Sequence, residues 1–415
     1  MSAIERSSGT KRFLRRMVAW SVLAGSFGGT LIVARLLRGR RSRGRASDRI
    51  LVTGTFYNHG WFLSHVEPLA CCGMSEVIVV TDVPQAAPER VTVLCPSTRL
   101  VRVLGRSGAK LVLMWRAGRR WQPCLYMGYH LFPAGLSALL VARLRGRPAA
   151  YQMTGGPLEV LGGGYSNENF LMSALGRPSR FLETLALAVI REFDLVVVRG
   201  RNARRYLAEM GIDQSVALIT GSIRPSDGTR ATRPIDVIFV GRLAPIKQPE
   251  QFVQIVERLA RSRPSLRTMM IGAGPELDSL RREAARLGIR DNIEFLGYRN
   301  DVSEFLRQSK VFVLTSRSEG MSIALMEAMG CGVPAVAADV GELSEVVVSG
   351  VNGWLVRPND LEGYVQRISE LLDDPVRWRR LSNAAREAAT ELSGIENVAR
   401  RWRVCLEPFA VGSNS

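Results

Sequence analysis

Glu319 and Glu327 stand eight residues apart in the run Glu319-Gly320-Met321-Ser322-Ile323-Ala324-Leu325-Met326-Glu327. The preceding Lys310 to Thr315 has the apolar, β-branched character of a buried parallel strand, and Ser322 is a suitable N-cap for a helix through Met329. Glu319 then falls in a strand-to-helix loop and Glu327 on the second helical turn. The backbone N–H groups of Gly320, Met321 and Ser322 are left at a positive helix end, which suits phosphate. Either acid alone could be a capping residue, since Glu is common on first turns. Together, two acceptor side chains beside an anion site suit a ligand of hydroxyl-rich rings joined by phosphates, and a nucleotide sugar is such a ligand.

Upstream, the strand-like Ile235 to Val240 runs into Gly241-Arg242-Leu243-Ala244-Pro245-Ile246-Lys247, a glycine turn carrying an Arg and a Lys five residues apart. Parallel strands would bring this turn and the Glu319 loop to one sheet edge. A guanidinium and an ammonium supply the non-titrating positive charge that a departing diphosphate needs. The chain has 52 Arg but only four Lys (Lys11, Lys110, Lys247 and Lys310), so a lysine here is a scarce choice.

These residues resemble the family 4 (group 1) glycosyltransferases, retaining enzymes with the GT-B fold that move a sugar from a nucleotide donor. The resemblance runs from about Ile50 to the C-terminus and is strongest from Asp236 to Val356. It rests on Gly241-Arg242 with Lys247, on Gly272-Ala273-Gly274-Pro275, on Ile293-Glu294-Phe295-Leu296-Gly297-Tyr298, on Glu319 with Glu327, and on Gly350-Val351-Asn352-Gly353 after Glu345. It implies that Arg242 and Lys247 hold the donor diphosphate, Glu319 the hydroxyls of the transferred sugar, Glu327 the ribose, and the loop at Tyr298 the base. Gly241, Gly272 and the Gly320-Met321-Ser322 helix end complete the expected donor site for a UDP- or GDP-linked sugar.

A chain of 415 residues is comfortable for two domains. Apolar runs alternate with amphipathic segments, which predicts α/β layering on mostly parallel sheets. Strands are expected at Ile50 to Thr53, Val77 to Val80, Lys110 to Leu113, Leu195 to Val198, Ile235 to Val240, Arg267 to Ile271 and Val311 to Leu314, and a helix over Glu276 to Ala284. The polar stretch from Arg224 to Pro234 has no periodicity and reads as a linker. The expected layout is a tail over 1–48, an acceptor domain over 49–224, a linker over 225–234, a donor domain over 235–395, and a helix and tail over 396–415 that cross back to the first domain. Two doubly wound Rossmann-like domains facing a central cleft match the GT-B fold.

Net charge is +18, yet residues 1–49 alone carry +10, so the excess sits in the tail. Within it Met17 to Ala34 is an uncharged run bounded by Arg15-Arg16 and Arg35. Its length is borderline for a membrane span, and glycines and serines dilute its apolarity. A signal peptide, an interfacial helix on an anionic membrane surface and a solvated tail are the competing readings. The anchoring reading places the protein in the cytoplasm at the inner face of the membrane. Six cysteines without paired metal spacing read as reduced, and three dispersed histidines form no metal motif.

The first half should take the saccharide or lipid-linked acceptor. Tyr129-His130-Leu131-Phe132-Pro133 looks like the family's helix opening after a His. The next strand ends at Thr154, where the family usually has a histidine facing the reacting sugar, so that histidine's role has no residue to land on here. Thr154 could bond a donor hydroxyl or cap a turn. Gly155 opens a mobile, glycine-dense loop through Tyr165 where an acceptor could dock. Gly60, in the loop after the first strand, could let backbone approach the diphosphate. His59 and His65 read as packing or hydrogen-bonding residues.

No Asp-x-Asp occurs in the chain, so a metal-bridged diphosphate has no visible ligands, and neither a metal nor a cofactor is expected. The reaction expected is a front-face displacement with retention, of hexosyltransferase type, in cell-surface polysaccharide or glycolipid biosynthesis. A sugar-nucleotide epimerase of the same fold is the alternative. A dinucleotide oxidoreductase is weaker, because Gly272-Ala273-Gly274-Pro275-Glu276-Leu277 lacks the third small residue of the fingerprint. A nucleic-acid- or membrane-binding protein without catalysis is weaker still, because the charge is concentrated in the tail, and no nucleic-acid partner is expected.

Overall fold

Runs such as Leu195-Val196-Val197-Val198 have no polar face to give to water, so they belong in sheets covered on both sides. A computed structural model of the chain describes residues 3–40, 46–165, 169–213, 215–224 and 232–410, and it forms two such sheets in two units. Unit 1 comprises Met1–Ile219 and Ala399–Ser415, and unit 2 comprises Thr220–Val398.

Unit 1 opens with α1 (Ala3–Leu36), followed by β1 (Ser47–Thr53), α2 (His59–Ala70), β2 (Glu76–Val80), β3 (Val91–Leu94), α3 (Thr98–Trp121) and β4 (Pro123–Tyr129). It continues through α4 (Leu136–Arg145), β5 (Ala149–Met153), α5 (Phe170–Ser173), α6 (Arg180–Ile190), β6 (Leu195–Val198), α7 (Arg201–Glu209) and β7 (Val216–Leu218). Its seven strands are all parallel, in the order β3-β2-β1-β4-β5-β6-β7. Chain order reverses between β1 and β4, which makes the carboxyl ends of these two strands the switch point where α/β sheets hold ligands.

Lys110 to Leu113 is not a strand. It lies inside α3, where Ala109, Lys110, Met114, Ala117 and Gly118 form the buried helical stripe and Ser97 caps the start. The three apolar residues Leu111 to Leu113 fit either period, and the longer helical pattern around them prevails. The strand beside β1 is instead β4, every residue of which is buried. Lys110 reaches Asp82 Oδ1 at 3.0 Å and Thr55 Oγ1 at 2.8 Å, a buried ion pair. Burial would raise the Asp82 carboxyl, but the ammonium and the hydrogen bonds hold it below its ordinary value.

Unit 2 contains β8 (Ile235–Val240), α8 (Pro249–Ser262), β9 (Thr268–Ile271), α9 (Leu277–Arg286), β10 (Ile293–Gly297), α10 (Val302–Leu306), β11 (Ser309–Leu314) and α11 (Ile323–Gly330). After these come β12 (Ala335–Ala338), β13 (Gly353–Val356), α12 (Leu361–Asp373), α13 (Pro375–Ser393) and α14 (Ile395–Leu406), whose residues from Ala399 onward group with unit 1. Within unit 1, Arg403 Nε on α14 donates to the Cys72 carbonyl at 3.1 Å. The six-stranded sheet is parallel, in the order β10-β9-β8-β11-β12-β13, with its switch point between β8 and β11. Apolar clusters cover both faces, one including α11 and the other α8 and α12. Of the expected linker 225–234, residues 225–231 lie outside the described residues. Arg233 is already anchored in unit 2, its guanidinium donating to the carbonyls of Leu306, Ser309 and Cys331.

The six cysteines are free thiols. The glycine-dense segment after Thr154 is packed rather than open: Gly156–Glu159 and Leu161–Gly163 form short 3-10 turns, and Gly162, Gly163 and Gly164 are buried. A side chain at Gly163 would collide with Leu182, so these glycines serve close packing and not mobility.

Candidate active site

In unit 2 the switch point gathers two loops. The loop after β8 carries Gly241, Arg242 and Lys247, and the loop after β11 carries Glu319 and leads into α11. They meet through side chains: Lys247 Nζ lies 2.5 Å from Glu319 Oε1, and Ser316 Oγ donates to the same oxygen at 2.5 Å. Thr315 Oγ1 donates to the carbonyls of Lys247 and Gln248, both at 3.0 Å, and so ties the first loop to the end of β11. Arg242 lies exposed on the same loop as Lys247.

Backbone approach at this edge is close enough to require glycine at several points. Gly272 follows β9 at φ +148, and a Cβ there would overlap the Gly241 carbonyl. Gly341, in the loop after β12, sits at φ +59 with the Glu319 carbonyl in the corresponding place. Gly272 N donates to Gly297 O at 2.8 Å, so the end of β10, and with it the exposed Tyr298, belongs to the same rim. The Tyr298 hydroxyl donates to Asn300 Oδ1 at 3.0 Å.

Ser322 caps α11 as expected, its Oγ accepting from Leu325 N at 3.4 Å. The backbone N–H groups of Gly320, Met321 and Ser322 meet no acceptor among the described residues. These amides at a helix start are the arrangement that holds an anion. Glu327 lies on the second turn of α11, and no hydrogen bond or ion pair reaches its carboxylate from the described residues. Desolvation alone pushes its carboxyl up from 4.5 to about 7. A half-buried carboxylate without a donor is what a ligand's hydroxyls would satisfy.

Unit 1 gathers a second cluster at its own switch point. His130 follows β4 at φ +63, a costly conformation for a non-glycine residue, and its amide donates to Gln152 O at 3.0 Å. Its Nδ1 lies 3.0 Å from Glu159 Oε1 and 2.9 Å from Thr154 Oγ1, and its ring stacks on Trp61 with centroids 6.2 Å apart. Glu159 is 1% exposed and accepts from Tyr151 Oη at 2.7 Å, Gly155 N at 2.5 Å and Leu131 N at 3.2 Å. Burial would raise this carboxyl, but the His130 charge and the converging donors keep it below its ordinary value. Deeper in, burial and then the charge of Arg199 hold His65 well below its ordinary pKa. His65 Nδ1 faces the Trp61 carbonyl at 2.7 Å and Nε2 faces the Arg199 guanidinium, whose Nε has no acceptor among the described residues.

Of the residues singled out from sequence, Lys247 and Glu319 are brought into contact, as are His130 and Thr154, and Gly155 bonds the same Glu159 oxygen that faces His130. Gly241, Arg242, Gly272, Tyr298, Gly320, Met321 and Ser322 occupy one sheet edge. Glu327 makes no bond to any of them, and Gly60 lies exposed in the first turn of α2. Ser316, Glu159, Arg199 and Trp61 were missed. Only Glu159 carried a signal, as the lone acid within a glycine-rich segment. Among the described residues no group of three or more His, Cys, Asp or Glu is placed to hold a metal ion.

Residues 224–388 match the family described as glycosyl transferases group 1. This segment, about two fifths of the chain, is similar to the group 1 glycosyl transferases. It is 32% identical over 207 residues to the D-inositol 3-phosphate glycosyltransferase of Streptomyces avermitilis, covering 44% of either chain. Over 166 residues it is 28% identical to the N-acetyl-alpha-D-glucosaminyl L-malate synthase of Bacillus anthracis, covering 40% of this chain and 43% of that protein. The matched stretch therefore spans less than half the length of these curated relatives. The Anabaena protein HepE, solved with UDP and glucose, superposes with a TM-score of 0.68 at 20% identity, over 86% of this chain and 98% of its own. That likeness is one of fold, and the two α/β units are those of the GT-B architecture.

Proposed function

We propose that the chain is a retaining glycosyltransferase that moves a sugar from a nucleotide-sugar donor to a saccharide or lipid-linked acceptor, without a metal. The observation that carries this is the bonded Lys247–Glu319 pair at the unit 2 switch point, beside the unpaired amides that open α11. Lys247 and Arg242 would meet the diphosphate, with the amides of Gly320 to Ser322 sharing its charge. The diphosphate would draw Lys247 from Glu319, freeing that carboxylate for the sugar hydroxyls. Glu327 would accept from the ribose, and the Tyr298 loop would border the base. The UDP held by HepE favours uridine over guanosine.

Acceptor recognition is assigned to unit 1, where Thr154 supports His130 instead of replacing it. In the front-face displacement the acceptor oxygen bonds to the anomeric carbon as the carbon–phosphate oxygen bond breaks, and the acceptor proton passes to the departing diphosphate. The setting we propose is the inner face of the cytoplasmic membrane, in polysaccharide or glycolipid assembly.

A thermal-shift panel of UDP, GDP and their sugars identifies the donor, because a ligand at 100 times its Kd stabilises by about 2.7 kcal/mol. The donor is then incubated with and without candidate acceptors and the anomeric configuration of the product is read by NMR. Conversion of donor to an isomeric sugar without any acceptor would replace this reading with an epimerase. An inverted linkage would remove the front-face mechanism.

A further inference from the structure

α1 has two apolar faces, and unit 1 covers only one. Ala19, Leu23, Phe27, Leu31 and Ala34 recur at helical spacing and are buried in the unit 1 core. Phe27 meets Phe132 edge-on with ring centroids 6.2 Å apart, and Trp20 stacks on Phe181 of α6 at 5.4 Å. Arg35 Nε lies 3.5 Å from Oε1 of Glu192, which is buried.

The opposite face carries Leu14, Met17, Val18, Val22, Ile32 and Leu36, all exposed. At 1.5 Å per residue, Leu14 to Leu36 extend over roughly 33 Å, with the small exposed residues Ser21, Gly25 and Gly29 in the middle of that face. Exposed Phe181 and Phe170 of the neighbouring α6 and α5 add to the apolar surface. Cations border it: Lys11, Arg12 and Arg15 at one end, Arg38 at the other, and Arg177 and Arg180 beside Phe181, all exposed. An apolar strip bordered by arginines is the complement of an anionic bilayer surface.

We propose that α1 works docked: its inward face stays in the core of unit 1 while its outward face lies in the plane of an anionic bilayer, so the chain is held monotopically and not by a span. The inference rests on the membrane setting proposed above and adds its geometry. By length and composition Lys11–Leu36 could cross a bilayer. A spanning helix, however, must give both faces to lipid. Releasing α1 would uncover Leu23, Phe27 and Leu31 with their partners, and would leave Glu192 buried without its arginine.

The test is flotation of the full-length chain with vesicles of phosphatidylcholine alone or mixed equally with phosphatidylglycerol. Binding is expected on the anionic vesicles only, weakened by salt and released by alkaline carbonate. The variant Leu14→Ser/Val18→Ser/Ile32→Ser is expected to partition at least about tenfold less, with an unchanged unfolding temperature. Retention after carbonate would overturn docking in favour of a span. A triple variant that floats like the parent would remove α1 as the contact. A parent that is dimeric by light scattering, with a monomeric variant, would make the strip a contact between copies. Turnover of a soluble acceptor is measured in parallel: its absence despite vesicle binding counts against glycosyl transfer and not against docking.

Discussion

Substituting Glu327 by Gln should stabilise the unliganded protein and weaken donor binding at once, a combination that a purely structural residue would not give. Moving the carboxyl from 4.5 to about 7 disfavours its ionised form by about 3 kcal/mol, at roughly 1.4 kcal/mol per pH unit. Because the folded value lies above the unfolded one, the protonated carboxyl contributes fully below pH 4.5, and that contribution is lost as pH rises through 7. At pH 8 the parent carries the whole penalty and Gln carries none, so the variant should gain about 1–2 kcal/mol after allowing for its own amide. A nucleotide whose ribose hydroxyls donate to the carboxylate favours the ionised form. Donor affinity of the parent should therefore rise as pH rises toward 7 and level above it. Losing a hydrogen bond to a charged group costs about 1.5–3 kcal/mol, or roughly 10–100-fold in Kd. Calorimetric titration of parent and Glu327→Gln with a nucleotide sugar from pH 5.5 to 8 reads both effects, since its diphosphate does not itself titrate in this range. Equal affinities and equal pH slopes in the two proteins would refute the assignment.

Loss of Arg242 or Lys247 should lower kcat by about 10²–10³ with a smaller change in KM, and Arg242→Lys should rescue only partly, as steady-state kinetics on variants with native circular dichroism will show. Glu159→Gln leaves donors from Tyr151, Gly155 and Leu131 facing an amide, and thermal unfolding at pH 7 should show a loss of about 3 kcal/mol. Because the Glu159 carboxyl is held below its ordinary value, the parent's advantage should shrink as the medium is acidified through that lowered pKa. Removal of residues 1–45 should depress the unfolding temperature and promote aggregation, because Leu23, Phe27 and Leu31 each contribute about 1.5–3 kcal/mol of burial. A truncated chain as stable as the parent would show that α1 contributes nothing to the fold.

The sequence determined the elements whose apolar period was unambiguous and the identity of residues at strand ends. Leu195–Val198 and Ile235–Val240 were legible because β-branched runs have one stable placement, and the α11 start because Ser322 signals its own cap. Lys110 to Leu113 was misread because the three apolar residues after the lysine fit either period, and only packing over the whole of α3 decides between them. Lys247 and Glu319 were each visible as candidates. Their contact across 72 residues arises from sheet order, which no local pattern encodes. The Glu159 cluster was hidden for the same reason: a lone acid becomes a structural charge only where His130, Tyr151 and two amides converge on it. The sequence also showed that residues 17–34 are uncharged, but hydropathy has no direction around a helix. Only the tertiary structure decided that one face of α1 is buried while the opposite face remains open, because burial depends on neighbours that arrive from α4 and α6 more than a hundred residues later.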